Sequence, residues 1–327
     1  MREDLQSGVP ERPPAPGRME AAAVEAPPRT PIPPDDAVAE PTTQSLTQRQ
    51  LAWRRFRRHK PAMVSLVLLI LISLAVIFAG LLTKYGYAEQ NFEALRQGPS
   101  AAHWFGTDEL GRDEFTRVLY GGRVSLAVGV CVALSAAFIG TLVGSLAGYY
   151  GGRLDNLLMR VTDLFLSFPF LVILIIGSTV LGGSIFDIVL VLSLFFWMPD
   201  ARIVRGVFLS LKEKEFVEAA RASGSSDRRI ITSNLIPNAM GPIIVNVTLS
   251  VAAAILTESV LSFLGFGIQP PTPTWGNLLD AAQSQMLVAP WLVWFPGLAI
   301  LVVVLCVNFL GDGLRDALDP QQQGAKV

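Results

Sequence analysis

Six residues in one polar stretch have the chemistry of a surface on which another protein docks. The stretch lies between two long apolar runs and reads LKEKEFVEAARASGSSDRRIITSNLIPN over 211–238. Its carboxylate and guanidinium groups offer charge-assisted hydrogen bonds, and its small residues let another backbone approach closely. The six residues are Glu218, Ala219, Ala220, Arg221, Gly224 and Pro237. These residue types favour docking over catalysis.

The spacing in this stretch predicts a helix, a turn and a second helix. We expect the first helix over 212–223, with Gly224 ending it, and a second helix capped by Ser225 or Ser226 that ends before Pro237. An ordinary solvated amphipathic helix in a loop is the alternative interpretation. Under either interpretation the stretch lies outside the lipid, between two membrane spans.

Glu258 is a second candidate, because an ionisable group at membrane depth is costly and often functional. It lies near the end of an apolar run and is followed by Ser259 and Ser262. One interpretation is a helix-end carboxylate that bonds nearby backbone close to the interface. The other is a residue that lines a translocation path or gate.

Asp108, Arg112 and Asp113 form a third candidate group, in a glycine-containing loop between apolar runs. They have the chemistry to contact a protein that delivers substrate. A loop of turns that bonds its own backbone is the alternative interpretation. His103 has no second histidine on the same side of the membrane, so we expect no metal site.

Sequence motifs for nucleotide and hydrolytic chemistry are absent from the chain. There is no GxxxxGK[ST] phosphate-binding loop, no HExxH zinc motif and no GxSxG nucleophile motif. We therefore expect a chain that is not an enzyme and holds no cofactor. Energy for any driven process has to come from another subunit.

The composition places most of the chain in lipid. Of the 327 residues, 51% are hydrophobic and 16% are charged, against about 25% charged in a typical soluble domain. The net charge of -1 argues against a nucleic-acid partner. Runs long enough to cross a bilayer predict an all-α membrane protein with six transmembrane helices. The predicted spans are about 61–83, 124–148, 163–182, 185–204, 240–264 and 289–311.

The polar segments complete the predicted organisation. A proline-rich tail over 1–48 has too little apolar surface to order itself. A six-span domain follows over 49–318, with a coupling region at 212–238, and a short tail over 319–327 ends the chain. Basic residues concentrate in the two end flanks and in every second connecting segment, so both termini are predicted to be cytoplasmic.

The coupling region resembles the EAA signature of ABC importer permeases. The signature reads EAA, three residues, Gly, nine residues, then Ile, any residue, Leu and Pro. Glu218, Ala219 and Ala220 match its start, and Gly224 and Pro237 stand at its later positions. In that family the loop inserts into a groove of the ATP-binding subunit.

The chain differs from the EAA signature at two positions, and two further segments resemble the same family. Ile236 in the Leu position is a conservative change, whereas Asn234 in the Ile position affects only a local packing contact. Two further blocks resemble the dipeptide/oligopeptide branch of the family. They are HWFGTDELGRDEFTRVLYGGRVSLAVG from His103 and ESVLSFLGFGIQPPTPTWGNLL from Glu258. With the coupling region included, the resemblance covers roughly 50–318.

This resemblance implies a type I ABC importer permease in the bacterial plasma membrane. Its partners would be a second homologous permease, an external solute-binding protein and two ATP-binding subunits that hold ATP and Mg. The implied substrates are dipeptides or oligopeptides, with nickel, glutathione or another small solute as alternatives. An ion-coupled secondary transporter is the rival class, but it predicts paired ionisable residues at mid-membrane, and only Glu258 approaches that pattern.

Overall fold

The computed structural model of the protein describes residues 47–318, and its regular elements in that range are helical. One isolated bridge joins Thr107 to Asp113. The predicted tails, 1–48 and 319–327, fall outside the described residues apart from Thr47 and Gln48. The prediction of an all-α protein is confirmed.

The helices follow one another with mostly short connections, and the longest link joins the third helix to the fourth. In chain order they are α1 (Gln48–Arg58), α2 (Lys60–Ile77), α3 (Ala79–Leu82), α4 (Glu114–Tyr150), α5 (Gly152–Leu166), α6 (Phe170–Leu181), α7 (Ile185–Leu211), α8 (Glu215–Ala222), α9 (Asp227–Arg229), a π-helical turn (Ile230–Leu235), α10 (Ile236–Phe263), α11 (Trp275–Ala282), a 3₁₀ turn (Gln283–Gln285) and α12 (Trp291–Leu318).

Four helical segments are long and apolar enough to cross a membrane. They are α2, α4, the continuous run Asp227–Phe263 that contains α10, and α12. The bent pair α5 and α6 would make a fifth. The predicted count of six is therefore not reproduced by length and composition alone. The missing span is α7, which has 27 residues but carries Asp187 and Asp200 and two arginines.

The predicted span 163–182 is wrong as a single helix. The helix is interrupted after Leu166, and the axes of α5 and α6 differ in direction by 83°. Pro169 is the N-cap of α6, with φ -61° and ψ 104°. Because a proline lacks the N–H and disfavours helical backbone in the residue before it, the helix ends there.

Close packing of α4 on α7 forms the centre of the bundle. Gly140, Gly144 and Gly148 lie at four-residue intervals on the face of α4 that touches α7. A methyl group at Gly140 would lie 2.5 Å from the Cβ of Asp200, and one at Gly144 would collide with the Ala201 carbonyl oxygen. In lipid, helices associate through such close backbone contacts between small residues.

The 37 residues of α4 span about 55 Å, which exceeds the roughly 30 Å of bilayer hydrocarbon. The helix α4 is therefore longer than the apolar layer is thick. One end carries the loop with Asp108 and Asp113. The other reaches residues 212–238, and we call that end of the bundle the coupling end.

Candidate coupling site

The coupling region contains a shorter first helix than predicted. The helix α7 ends at Leu211, Lys214 takes an extended conformation, and α8 begins at Glu215. This break turns Val217 towards the bundle, where it is fully buried. The first helix is therefore docked on the protein by its own apolar residue, unlike a free loop helix in solvent.

Gly224 ends α8 in a Schellman motif. Its φ is +75°, the left-handed region that glycine adopts at little cost. The Gly224 N–H donates to the Arg221 carbonyl at 2.9 Å, and the Ser225 N–H donates to the Ala220 carbonyl at 3.1 Å, as this motif requires. A side chain at 224 would meet no atom of this chain within 4 Å. The glycine is thus required by backbone conformation, and the space beside it is open.

Most of the predicted docking residues share one exposed surface. Glu218, Ala219, Arg221 and Gly224 are exposed. Ala220 is half-buried and packs against the apolar cluster that contains Val217. The EAA residues therefore lie side by side on α8, with Glu218 and Ala219 facing solvent and Ala220 facing the apolar cluster.

Phe216 adds an apolar group to this surface that the sequence analysis missed. Its side chain is 39% exposed, and it lies one helical turn before Ala219 and Ala220. Aromatic side chains are enriched in protein interfaces. The signal was available, because a phenylalanine at this spacing in a polar helix is unusual for a solvated face.

Tyr149 at the end of α4 fixes the turn after α8. Its hydroxyl donates to Oδ1 of Asp227 at 2.6 Å, and the Arg221 guanidinium carbon lies 5.5 Å from the centre of the tyrosine ring. Ser226 takes the predicted N-cap position, but no side-chain cap bond forms there. The end of α4 therefore holds the coupling region through a tyrosine 78 positions away in sequence.

The second helix does not end before Pro237, so that prediction is wrong. A π-helical turn over Ile230–Leu235 continues directly into α10. The Ile236 N–H bonds the carbonyl of Ile231, five residues back, and Pro237 follows in the first turn of α10. A local π-helical adjustment of this kind lets a helix accommodate a proline, which has no N–H to donate. Residues 227–263 thus form one continuous helix, which includes the second half of the coupling region.

Two ion pairs attach α5 to α7 at the coupling end. Arg205 donates two hydrogen bonds to the Asp155 carboxylate, from Nε at 2.5 Å and from Nη2 at 2.6 Å. Arg202 pairs with Asp163 through a short hydrogen bond. A bidentate arginine–carboxylate pair fixes orientation as well as distance. These pairs stabilise the position of α7, the helix that precedes the coupling region.

A polar contact inside the bundle joins α7 to α10. Asn246 Nδ2 donates to Oδ1 of the buried Asp200 at 2.5 Å. The second oxygen of Asp200 has no hydrogen-bond partner among residues 47–318. An acidic residue in the predicted span 185–204 is a signal that the sequence analysis did not use.

Glu258 is enclosed within this chain. Its side chain is fully buried, and it accepts hydrogen bonds from Ser262 Oγ at 2.7 Å and from Ser125 Oγ at 3.3 Å. Ser125 Oγ in turn accepts from the Trp275 backbone N–H at 3.2 Å. The carboxylate joins α4, α10 and α11 through side-chain hydroxyls. This geometry favours a structural role over a lining of the translocation path.

The loop at the end of α4 away from the coupling region is internally bonded. Asp108 accepts hydrogen bonds from the Leu110 and Arg112 backbone N–H groups at 2.9 Å and from Arg112 Nε at 2.7 Å. Asp113 caps α4 at Thr116 and bonds His103 Nδ1 at 2.8 Å. Both aspartates are buried. Their oxygens are therefore engaged inside the loop, as the self-bonded interpretation requires.

In the described part of the chain, no group of three or more potential ligand residues is placed to hold a metal ion.

Residues 140–323 match the family described as the binding-protein-dependent transport system inner membrane component. The chain belongs to this family. Residues 47–99 match the N-terminal transmembrane domain of oligopeptide transport permease C. The permease is thus a multi-pass protein of the bacterial inner membrane. Members of its family act with ATPase and solute-binding partners and are not themselves catalytic.

Relatives with named transport systems match this permease over most of its length. The dipeptide transport system permease protein DppC of Alkalihalophilus pseudofirmus is 44% identical over 83% of this chain and 90% of its own. DppC of Bacillus subtilis is 42% identical over 88% of this chain and 89% of its own. The glutathione transport system permease protein GsiD of Escherichia coli O157:H7 is 45% identical over 83% and 90%.

The fold also resembles a solved transporter. A chain of the MetNI methionine ABC transporter in an inward facing conformation aligns with a TM-score of 0.51 and 18% identity. The alignment covers 62% of this permease and 96% of the MetNI chain. This likeness supports the ABC importer permease fold.

Proposed function

We propose that this permease forms half of the translocation path of a short-peptide importer and is driven by ATPase subunits through residues 212–238. One observation carries the proposal. The exposed face of α8 ends in an open left-handed turn, and its buried face packs through Val217 into an apolar cluster with the π-helical turn and Tyr149 of α4. After the Gly224 turn, an unbroken helix runs from Asp227 into α10. A force applied to α8 can therefore reach α4 and α10 through packed side chains.

The peptide substrate is supported by the relatives. Two of them are named for dipeptide and one for glutathione, which is itself a short peptide. Identities of 42–45% along most of each chain leave the two substrates equally favoured. We therefore propose short peptides as the substrate class.

The assembly we propose has a second homologous permease, two ATP-binding subunits that hold ATP and Mg, and an external solute-binding protein. Both termini would then be cytoplasmic, on the same side as the coupling region. The last turns of α1 support this orientation, because they carry basic residues that favour the cytoplasmic face. They are Arg54, Arg55, Arg57 and Arg58.

The proposed mechanism is rigid-body gating. Closure of the ATP-binding subunits moves α8, and Val217 and the Tyr149–Asp227 hydrogen bond carry that movement to α4. The glycine-packed α7 follows α4, while α10 moves as the extension of the coupling region. The path between the paired permeases then opens alternately to either side, as in other hinged bundles.

Replacing Gly224 tests this proposal directly. We expect Gly224→Leu to insert normally in the membrane and to lose most substrate transport, because the strained turn and added side chain spoil the docking surface. Transport and ATP hydrolysis are measured together in vesicles that contain the assembled importer. ATP hydrolysis should persist or fall less than transport.

Gly206→Leu is the matched control, because a side chain at Gly206 would also meet no atom of this chain, but its backbone is helical. We expect the control to retain transport. Transport at the normal rate in Gly224→Leu would contradict the mechanism.

A further inference from the structure

One side of α10 is left uncovered by the rest of this chain. The helix packs on α4, α7 and α12. Ile255 faces α4, and a methyl group at Gly129 of that helix would lie 2.5 Å from it. Leu249 faces α12, and a methyl group at Gly311 would lie 2.7 Å from it. The side of α10 that carries Ala253 is exposed, so it is open to a molecule outside the chain.

The uncovered side carries small and polar residues, and we call them the polar face of α10. They follow one another at intervals of three or four residues, so they lie on one side of the helix. The residues are Asn246, Ser250, Ala253 and Thr257. Ala253 is exposed, and the other three are partly exposed. The face therefore presents an amide and two hydroxyl groups within a membrane span.

The exposed faces of two other membrane helices show what contact with lipid requires. They carry large apolar residues, such as Leu71 and Leu74 on α2 and Leu301, Leu305 and Phe309 on α12. Hydrocarbon favours such side chains and disfavours amide and hydroxyl groups. The polar face of α10 is therefore better suited to a polar molecule than to lipid.

A buried polar atom at the edge of this face also points to a ligand. Asp200 of α7 is 4% exposed, and one of its carboxyl oxygens accepts a hydrogen bond from Asn246. The other oxygen has no hydrogen-bond partner among residues 47–318, which is costly in either protonation state. The space lined by Asp200 and Asn246 has room for about one water molecule. A water there would connect Asp200 to a polar molecule lying on α10.

The groups on the polar face suit the backbone of a peptide. Amide and hydroxyl groups both donate and accept hydrogen bonds, and a peptide backbone offers one donor and one acceptor at most residues. Thr257 donates within the helix, to the Ala253 carbonyl, and keeps its acceptor capacity. No charged residue lies between 246 and 257, so this face selects no sign of substrate charge. A nickel ion would need imidazole or carboxylate ligands, which the face lacks.

We propose that the polar face of α10 lines the translocation path and hydrogen-bonds the backbone of the transported peptide. The inference rests on the proposed function, which places the path between this permease and a second one. Contacts to the backbone, which all peptides share, would let one path carry short peptides that differ in their side chains.

The first test measures whether water reaches the polar face. Single cysteines are placed in the assembled importer in lipid nanodiscs, with Cys131 and Cys306 replaced by alanine. A charged thiol reagent modifies a cysteine that contacts water much faster than one in lipid, because the thiolate is the reactive form. We expect Ser250→Cys and Thr257→Cys to react at least about tenfold faster than Leu256→Cys. Leu256 is the matched control, because it is 43% exposed and lies at the same depth.

The second test measures uptake into vesicles that contain the importer and its solute-binding protein. The probes are dialanine and glutathione. Thr257→Val removes the hydroxyl at nearly constant size, and we expect it to lower uptake of a carried probe roughly two- to tenfold, because one hydrogen bond to the peptide is lost. Thr257→Ser restores the hydroxyl and should restore uptake. A carried probe should also slow the modification of Thr257→Cys, which a purely structural role would not produce.

The possible failures are distinguishable. If Ser250→Cys and Thr257→Cys react no faster than Leu256→Cys, the polar face does not line a path, and the proposed function stands. Uptake by Thr257→Val at the wild-type rate would overturn the hydrogen bond to the peptide and would also leave the proposed function intact. If the wild-type importer carries neither probe, the proposed short-peptide function is overturned, and the peptide contact falls with it.

Discussion

The two ends of this permease use charged residues in opposite ways. At the coupling end, Glu218 and Arg221 are exposed on a short helix. At the other end, Asp108 and Asp113 are buried, and their oxygens are engaged by the loop's own backbone and side chains. The comparison teaches that similar residue types build structure at one end and remain available to a partner at the other. Burial decides whether a charged residue stabilises the fold or contacts a partner, and burial cannot be read from the sequence.

The largest expected effect is at the internally bonded end. Asp108→Ala leaves Arg112 and the buried Arg117 without their shared carboxylate. Removing one partner of a buried ion pair costs about 3 kcal/mol or more. We expect a clear fall in melting temperature of the detergent-solubilised permease, followed by intrinsic fluorescence.

Glu109→Ala is the control for this substitution, because Glu109 is an exposed neighbour in the same loop. A surface change of this kind should cost no more than about 0.5 kcal/mol. Equal melting temperatures for the two variants would contradict this, because they would show that a buried carboxylate in this loop stabilises the permease no more than an exposed one.

An intermediate effect is expected where the coupling region meets α4. Tyr149→Phe keeps the ring beside Arg221 and removes the hydrogen bond to Asp227. A hydrogen bond to a charged group contributes about 1.5 kcal/mol or more. We expect faster hydrogen exchange over 215–229, with the melting temperature nearly unchanged, because only the local opening becomes easier.

Tyr150→Phe is the matched control, since the neighbouring Tyr150 is exposed. Its exchange pattern should match that of wild type. If both variants behave alike, the hydrogen bond from Tyr149 does not position the coupling region.

The smallest expected effect on stability is at Glu218. Because its carboxylate is exposed on α8, Glu218→Gln should change the free energy of unfolding by less than about 0.5 kcal/mol. The ATPase subunits should nevertheless co-purify less well in detergent, because a charge-assisted contact is weakened. A loss of stability with normal co-purification would reverse the roles we assign to the two ends.

Local patterns in the sequence predicted much of this fold. Long uncharged runs located the apolar spans, and the Gly224 turn follows from the preference of glycine for left-handed backbone. The break before Pro169 was also predictable from proline chemistry, but the continuous apolar character of 163–182 outweighed it. The spacing of Gly140, Gly144 and Gly148 was visible as well, and it indicates a close helix contact without naming the partner helix.

Contacts between distant residues were beyond sequence reasoning. Nothing local relates Tyr149 to Asp227, and a tyrosine at the end of a span normally indicates an interfacial anchor. Glu258 shows the same limit, because its hydroxyl partner Ser125 lies 133 positions away. A single sequence shows that a carboxylate enters an apolar run, but the chain's topology determines whether it faces a path or a neighbouring helix.

The π-helical turn over Ile230–Leu235 acts as a spacer of one residue. If the same residues wound as an ordinary α-helix, everything after the turn would rotate about the helix axis by about 100°, the rotation that one residue contributes. Asn246 would then move away from Asp200, and Glu258 would move away from Ser125 on α4. The face that α10 presents to the rest of the bundle is therefore set by an insertion many residues away, at the edge of the coupling region.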